Sequence, residues 1–453
     1  MKSYDVVIIG GGPAGVACAL SAKNTYPDKK IVLLRKETQP MIPCGIPYIF
    51  STLKSVDDNI LPDNPLSANG IEIMNGEAAD CANHILKLSG GEEIKFEKLV
   101  LATGSEAVLP NIPGIDKEGI FQVRKDKSYL EEMKTGIVKA ENIVILGGGY
   151  IGVEVADELT RANKKVTIIE MTETLLPTMD PEFSEKAKEI LQRKGAEVIT
   201  GRSVQNIIGD KKIKEVELND GSKIKCDYLI ISCGYRPNTS LAKKMGLAIE
   251  EGKGILVDAY LRTSEKDVFA IGDCAAKYDF FSGELSSIML ASTATTEGRL
   301  VGSNLYTIKI VRQYPGALGA FSTKIGDTAF AVSGIIERRA KRRSLDYTVG
   351  IAKSVNRHPG KLPGASETTV KLIFSTYSHT LMGAQISGGD SVGEMINIIS
   401  VMILNRMTDI DINTIQIGTH PLLTASPVVY PIINAASDAI KKWYKQAQHE
   451  IKS

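Results

Sequence analysis

Val6-Val7-Ile8-Ile9-Gly10-Gly11-Gly12-Pro13-Ala14-Gly15 decides the fold. Four strand-forming residues run into a G-x-G-x-x-G turn, and a helix pattern follows from Val16 to Lys23. A second strand, Ile31-Val32-Leu33-Leu34, completes a strand–helix–strand unit. In that setting Gly10, Gly12 and Gly15, with Pro13 and Ala14, form a tight turn that lets backbone approach a pyrophosphate at the helix N-terminus. The residues point to a bound dinucleotide and an α/β fold. One element departs from the pattern. The acid expected at the end of the second strand, for a ribose hydroxyl, is replaced by Arg35-Lys36, with Glu37 two positions later. Either Glu37 reaches back or this ribose is held differently.

The turn recurs as Gly147-Gly148-Gly149-Tyr150-Ile151-Gly152, between a strand pattern at Asn142–Leu146 and a helix pattern at Val153–Arg161. Here the second strand, Val166-Thr167-Ile168-Ile169, ends in Glu170, where the acid belongs. A carboxylate there accepts hydrogen bonds from a ribose diol and repels a 2′-phosphate. Met171 and Thr172 follow, with no arginine adjacent to bind that phosphate, so this turn predicts NAD(H).

Composition narrows the class. The chain has 453 residues, enough for about two to four domains with ample core. Its formal net charge of +1 gives no reason to expect nucleic acid or a charged membrane surface. Met1-Lys2-Ser3-Tyr4-Asp5 leads directly into the first strand, without a signal-peptide pattern. The most apolar stretch, Met395 to Leu404, is broken by Asn397 and Ser400 and is too short to span a bilayer. A soluble, cytoplasmic protein with no membrane partner is expected. Six cysteines, at 18, 44, 81, 226, 233 and 274, show neither C-x-x-C nor metal-type clustering, so neither a disulfide framework nor a metal site is expected.

Pro43-Cys44-Gly45-Ile46-Pro47-Tyr48 lies beyond the second strand of the first unit. Proline is tolerated in a helix only in its first turn, so Pro47 puts Cys44 at or just before a helix N-terminus. The dipole and free backbone N–H groups there favour the thiolate, the reactive form of cysteine. With two dinucleotide turns in the same chain, Cys44 is the candidate redox centre; the alternative is a packed loop cysteine. Cys18 falls on the first helix, and Cys226, Cys233 and Cys274 lie in or beside apolar strand patterns, so all four are expected in the core. The run Arg338-Arg339-Ala340-Lys341-Arg342-Arg343 is either a solvated face or an attraction for a phosphate-bearing thiol, and Arg357-His358 is similarly open.

Leu99-Val100-Leu101-Ala102-Thr103-Gly104 and Val268-Phe269-Ala270-Ile271-Gly272-Asp273 complete a set of four motifs. In this order they resemble the flavoproteins of the pyridine nucleotide–disulfide oxidoreductase family, over essentially the whole chain. The resemblance implies that the first turn, Ala102-Thr103-Gly104 and Gly272-Asp273 bind FAD, and that the second turn binds NADH. It further implies that Asp273 binds the ribityl chain, that Ala78 approaches the adenine, and that the helix reached through Ala291 and Glu297-Gly298-Arg299 lies beside the flavin. The expected architecture is two Rossmann-like nucleotide-binding domains and an α+β dimerisation domain. An FAD domain at 1–114 and 252–318 would carry an inserted NAD(H) domain at 115–251. Residues 319–453 would form the C-terminal domain, its helix starting at Asp390-Ser391 with an apolar stripe of Val392, Met395, Ile396, Ile399, Met402 and Ile403. A homodimer is implied.

Relatives with two reactive cysteines five apart would need one at 39 or 49, where Gln39 and Ile49 stand. The single Cys44 resembles the one-cysteine branch of coenzyme A disulfide reductases, NADH oxidases and NADH-dependent sulfur or persulfide reductases. There hydride from NADH passes through flavin to an oxidised cysteine: a mixed disulfide, a persulfide or a sulfenic acid. Pro13-Ala14 stand where peroxidase relatives carry histidine, and Thr419 to Thr424 replace a tyrosine-rich segment of coenzyme A disulfide reductases. The expected activity is NADH-dependent reduction of a low-molecular-weight disulfide, persulfide or polysulfide. The alternatives are an NADH oxidase that reduces oxygen and a non-catalytic, NADH-responsive flavoprotein binding module. His420-Pro421 resembles a segment whose histidine exchanges protons with the reactive thiol across the dimer, although Ala425 stands where that histidine's orienting acid would be.

Overall fold

The computed structural model describes residues 1–314 and 316–452, with side chains to residue 445. It comprises two compact units. The first is made of Met1–Asn111, Ile120–Lys139 and Ile230–Ala317; the second of Ile112–Gly119, Ala140–Leu229 and the chain from Leu318. Residues 230–251, grouped by sequence with the second glycine turn, pack in the first unit. The reason is local pairing: Tyr235–Pro237 forms an antiparallel pair with Ser105–Ala107, and the Asn238 N–H donates to the Gly104 carbonyl at 2.9 Å.

In the first unit a parallel sheet runs in the order Glu72–Asn75, Ile31–Arg35, Lys2–Ile9, Glu93–Leu101 and Val268–Ala270. Its central strands are apolar without alternation because both faces are covered. The helix Pro13–Thr25 packs on the helix Ala291–Asn304. Two glycines permit that approach: a Cβ on Gly298 would lie 2.5 Å from the Ala14 carbonyl oxygen, and one on Gly302 2.5 Å from that of Cys18. The glycine turn therefore sits at the carboxyl edge of the sheet, where open α/β sheets bind ligands.

In the second unit Asn142–Leu146, Lys165–Glu170 and Glu197–Thr200 form a parallel ladder behind the second glycine turn. The C-terminal part is a five-stranded antiparallel sheet, ordered Ala320–Ile325, Thr328–Gly334, Leu381–Gly388, Glu367–Ser375, Tyr347–Val355. The helix Val392–Leu404 covers one part of it, burying the stripe read from the sequence, while Ile398 and Val401 stay exposed. The last helix, Pro431–Lys452, lies against Tyr347–Val355, where a Cβ on Gly350 would meet the Ala435 carbonyl oxygen at 1.9 Å.

A buried ion-pair network holds this unit together. Lys371 Nζ donates to Asp180 (2.9 Å), Glu182 (2.6 Å) and Glu337 (2.7 Å). Among the described residues this acidic trio is the one grouping with metal-ligand spacing, and the ammonium occupies its centre. Arg338, from the basic run, is a clamp: it donates to the Pro177 and Met179 carbonyls, and its N–H donates to Asp180. Among the described residues no helix is long and apolar enough to cross a membrane.

Candidate active site

The first cradle is built by backbone constraint. Gly10 adopts φ +121°, and a Cβ there would stand 2.0 Å from the Ala102 carbonyl oxygen; one on Gly15 would stand 1.9 Å from that of Gly10. Gly12 is different. It is the extended N-cap of Pro13–Thr25, its Cβ position has nothing within 4 Å, and no side chain caps the helix. Uncapped N–H groups beside open space suit a pyrophosphate. Ala102-Thr103-Gly104 lines the adjoining edge, with the Thr103 hydroxyl donating to the Asn238 carbonyl at 2.7 Å and Gly104 at φ +69°.

Gly272-Asp273 begins a short 3₁₀ turn, Gly272–Cys274. Asp273 accepts from the Ser105 hydroxyl at 2.7 Å, leaving its other oxygen available. Two residues fix this turn, Glu297 from the helix singled out in the sequence and Lys277, which the sequence did not mark. Glu297 accepts the Gly272 N–H at 2.8 Å and is paired with Lys277 at 3.1 Å; both side chains are buried, and Lys277 also donates to the Gly272 and Ala275 carbonyls. Burial pushes the Glu297 carboxyl up, with Lys277 pulling against it. Ala291 opens its helix and is exposed, and Ala78 opens the strand Ala78–Ala82, half-buried.

At the end of the second strand Arg35 is buried and paired with Asp63, Lys36 pairs with Glu77, and Glu37 is exposed with its carbonyl held by Asn75.

The second cradle repeats the first. Gly149 is an extended N-cap with an open Cβ position, and the helix Tyr150–Arg161 has no side-chain cap. Glu170 is built into the turn: it accepts from the Gly148 N–H (2.6 Å), the Thr172 N–H (2.7 Å) and the Thr172 hydroxyl (2.9 Å). A carboxylate has about four lone-pair sites, so one remains for a ribose hydroxyl. Tyr150 stacks on Phe321, centroids 5.3 Å apart, and its hydroxyl meets that of Thr178 at 2.8 Å. Gly152 is buried and Ile151 half-buried.

Glu154, one turn further along this helix, is a titratable group the sequence reading missed. Burial pushes its carboxyl up to about 7, while the Thr323 hydroxyl, donating at 2.8 Å, pulls it down.

Cys44 is exposed. It is the second residue of a 3₁₀ helix, Pro43–Phe50, rather than of an α-helix, and the proline of the first turn is Pro43; Pro47 lies inside. Buried Asn59 fixes the segment: its Nδ2 donates to the Ile42 carbonyl at 3.0 Å, and its Oδ1 would lie 1.9 Å from a Cβ on Gly45. None of the six cysteines is in a disulfide. Cys18, Cys226 and Cys274 are buried as expected, and burial raises each thiol, Cys226 to about 12. Cys81 is buried too and raised to about 11. Cys233 is a correction: it is exposed, because the strand Tyr228–Ile231 ends before it and Gly234 turns the chain at φ +92°.

His420 belongs to the second unit and is exposed. Its Nδ1 accepts from the Leu422 N–H at 3.2 Å, which assigns the neutral ring's proton to Nε2. His358 anchors this turn, its N–H donating to the Pro421 carbonyl (3.1 Å) and its Nδ1 bonding the Thr424 carbonyl (3.1 Å).

Residues 4–298 match the family model described as pyridine nucleotide-disulphide oxidoreductase, and 321–429 match the dimerisation domain of that family. The chain belongs to this family. It is an oxidoreductase whose cofactors are FAD and NAD(H), and both cradles fit such groups through their uncapped helix starts and open glycine positions. An NADH oxidase of Methanocaldococcus jannaschii is 32% identical over 96% of this chain and 98% of its own length. A Pyrococcus horikoshii NAD(P)H coenzyme A polysulfide/persulfide reductase is 29% identical, over 85% of this chain and 87% of its own. The solved NAD-dependent persulfide reductase from A. fulgidus superposes with a TM-score of 0.89 at 28% identity, covering 97% of this chain and 83% of that one.

Proposed function

We propose that this oxidoreductase reduces a low-molecular-weight disulfide, persulfide or polysulfide with NADH, and that Cys44 is the residue that attacks the acceptor. The observation that carries the reading is Cys44 itself: exposed, at a helix start, in the same unit as the first glycine turn. FAD, when bound, supplies the two-electron link between nicotinamide and sulfur.

The chain's own residues do the rest. The first cradle, with Ala102-Thr103-Gly104 and Asp273, holds FAD; the second, with Glu170, holds NADH. The Cys44 thiolate attacks one sulfur of RSSR, forming a mixed disulfide and releasing RS⁻. Two electrons from NADH then cleave that bond, restoring the thiolate and releasing the second RS⁻. The sum is NADH + H⁺ + RSSR → NAD⁺ + 2 RSH; with a persulfide RSSH, the products are RSH and H₂S. Asn59 holds the Cys44 segment in place.

The dimerisation domain supports a homodimer, in which His420 Nε2–H donates to the Cys44 thiolate of a second subunit. Taking up a second proton at Nδ1 would require the ring to release the Leu422 N–H.

Anaerobic NADH consumption is measured with coenzyme A disulfide and with polysulfide. Cys44→Ser is expected to lose turnover by about a thousandfold or more while still binding FAD, whereas Cys233→Ser keeps it. Parent-level turnover in the Cys44→Ser protein would sink the proposal. Oxygen is the second reading, favoured by the Methanocaldococcus relative. Aerobic NADH consumption exceeding that with every sulfur acceptor would put it first.

A further inference from the structure

Arg35 lies along Gly11 as Glu170 lies along Gly148. A Cβ on Gly11 would stand 2.7 Å from Arg35 Cδ, and one on Gly148 3.1 Å from Glu170 Cβ. Where Glu170 offers acceptor oxygens, Arg35 has only N–H donors. Its guanidinium forms a bidentate pair, Nη1 to Asp63 Oδ1 and Nη2 to Asp63 Oδ2, both at 2.6 Å, and Nη2 also donates to the Thr38 carbonyl at 3.2 Å. The Arg35 side chain is 2% exposed and that of Asp63 41%, so the pair turns its anionic end outward.

Asp63 stands at the N-cap of the helix Asn64–Ala68, yet its side chain caps nothing there. Its carboxylate is committed to Arg35, and each oxygen keeps a lone pair after taking one guanidinium N–H. Arg35 Nε is buried without a partner, a cost that packing alone does not explain. Lys36 is drawn aside by Glu77.

We propose that Asp63, held by Arg35, is the ribose-recognising carboxylate of the first nucleotide site, accepting the adenosine 2′-hydroxyl of FAD in place of the acid missing at position 35. The inference rests on reading the first glycine turn as the FAD site. The strand end thus supplies the positioning cation, and the acid comes from a segment further along the chain.

The test uses protein stripped of FAD, titrated with FAD and with an FAD analogue lacking the adenosine 2′-hydroxyl, and read by flavin fluorescence. A hydrogen bond to a carboxylate predicts that the parent binds FAD roughly tenfold more tightly than the analogue. Asp63→Ser, with Asp63→Asn as a milder second variant, is expected to weaken FAD binding about tenfold and to shrink that ratio toward one. A merely structural Asp63 would lower both affinities together and leave the ratio intact, which overturns the proposal. Equal binding of the two flavins by the parent overturns it as well. A stripped protein that binds neither flavin instead removes FAD from this site, and the inference falls with that reading.

Discussion

The two glycine turns, Gly10–Gly15 and Gly147–Gly152, have nearly the same backbone and different company. Gly10 and Gly147 have φ of +121° and +108°, and their N–H groups donate to Leu34 and Ile169 carbonyls at 2.8 and 2.9 Å. The N-caps Gly12 and Gly149 are extended at φ −79° and −73°. The side chains diverge. Arg35 stands where Glu170 does, Pro13 where Tyr150 does, and Ala17 where Glu154 does. A glycine turn fixes where the phosphates go through local backbone chemistry. What reads the rest of the nucleotide depends on partners that sequence neighbours do not determine.

The largest effects should come from filling the two open N-cap positions. Beyond its chain neighbours, neither Gly12 nor Gly149 has an atom within 4 Å of its Cβ position, so the branch point of a valine there meets open space, and the poorer cap costs about 1 kcal/mol. The valine would also occupy the space a pyrophosphate needs. Gly12→Val is expected to weaken FAD binding about a hundredfold or more, and Gly149→Val to raise KM for NADH similarly while FAD stays bound. Flavin fluorescence and rapid-mixing flavin reduction measure the two arms. Loss of FAD from Gly149→Val, with Gly12→Val unaffected, would exchange the assignments of the two sites.

A smaller effect should sharpen the contrast at the strand ends. A 2′-phosphate beside Glu170 is repelled, so kcat/KM should favour NADH over NADPH, and Glu170→Gln should narrow the gap about tenfold. Glutamine can still accept from the Gly148 N–H, so it removes the charge with less damage to the turn than alanine. A parent that used NADPH as well as NADH would end the assignment of Glu170.

The pattern of successes in the sequence reading follows the same division. Both turns, their flanking strands and the buried cysteines at 18, 226 and 274 were legible, because glycine geometry and apolar runs are local signals. Cys233 was misread because an apolar run does not say where its strand stops. The helix at Cys44 was placed from its prolines, but that it is a 3₁₀ helix with Pro47 inside it rather than in its first turn was not legible. Asp63 could not be foreseen as the partner of Arg35, and the Lys277–Glu297 pair under Gly272 is equally a product of tertiary packing. Arg338 read as one of a charged run, yet its role is set by the carbonyls of Pro177 and Met179.

Glu154 gives a predicted effect on stability. A glutamate on a helix reads as solvent-facing, but the Thr323 hydroxyl from a strand 169 residues on, and the stacked Tyr150–Phe321 pair, enclose this one's surroundings. Burial pushes its carboxyl up to about 7 in the folded protein, against 4.5 for an ordinary exposed glutamate, and outweighs the pull of the Thr323 hydroxyl. The folded state therefore holds this proton more tightly than the unfolded state does. Stability falls as pH rises from about 4.5 to about 7 and is flat in this respect outside that window. Glu154→Gln cannot ionise and keeps an acceptor for Thr323, so it removes that slope. Relative to the parent, the variant should gain roughly 3 kcal/mol at pH 8 over its position at pH 4. Ala17, the matching position of the first turn, carries no such group, and Ala17→Ser should leave the pH dependence unchanged. Denaturant unfolding of parent and variants across this range measures the difference. Parallel curves for the parent and Glu154→Gln would mean that the glutamate binds its proton equally well folded and unfolded, and the electrostatic contrast between the two glycine turns would then lie in Arg35 and Glu170 alone.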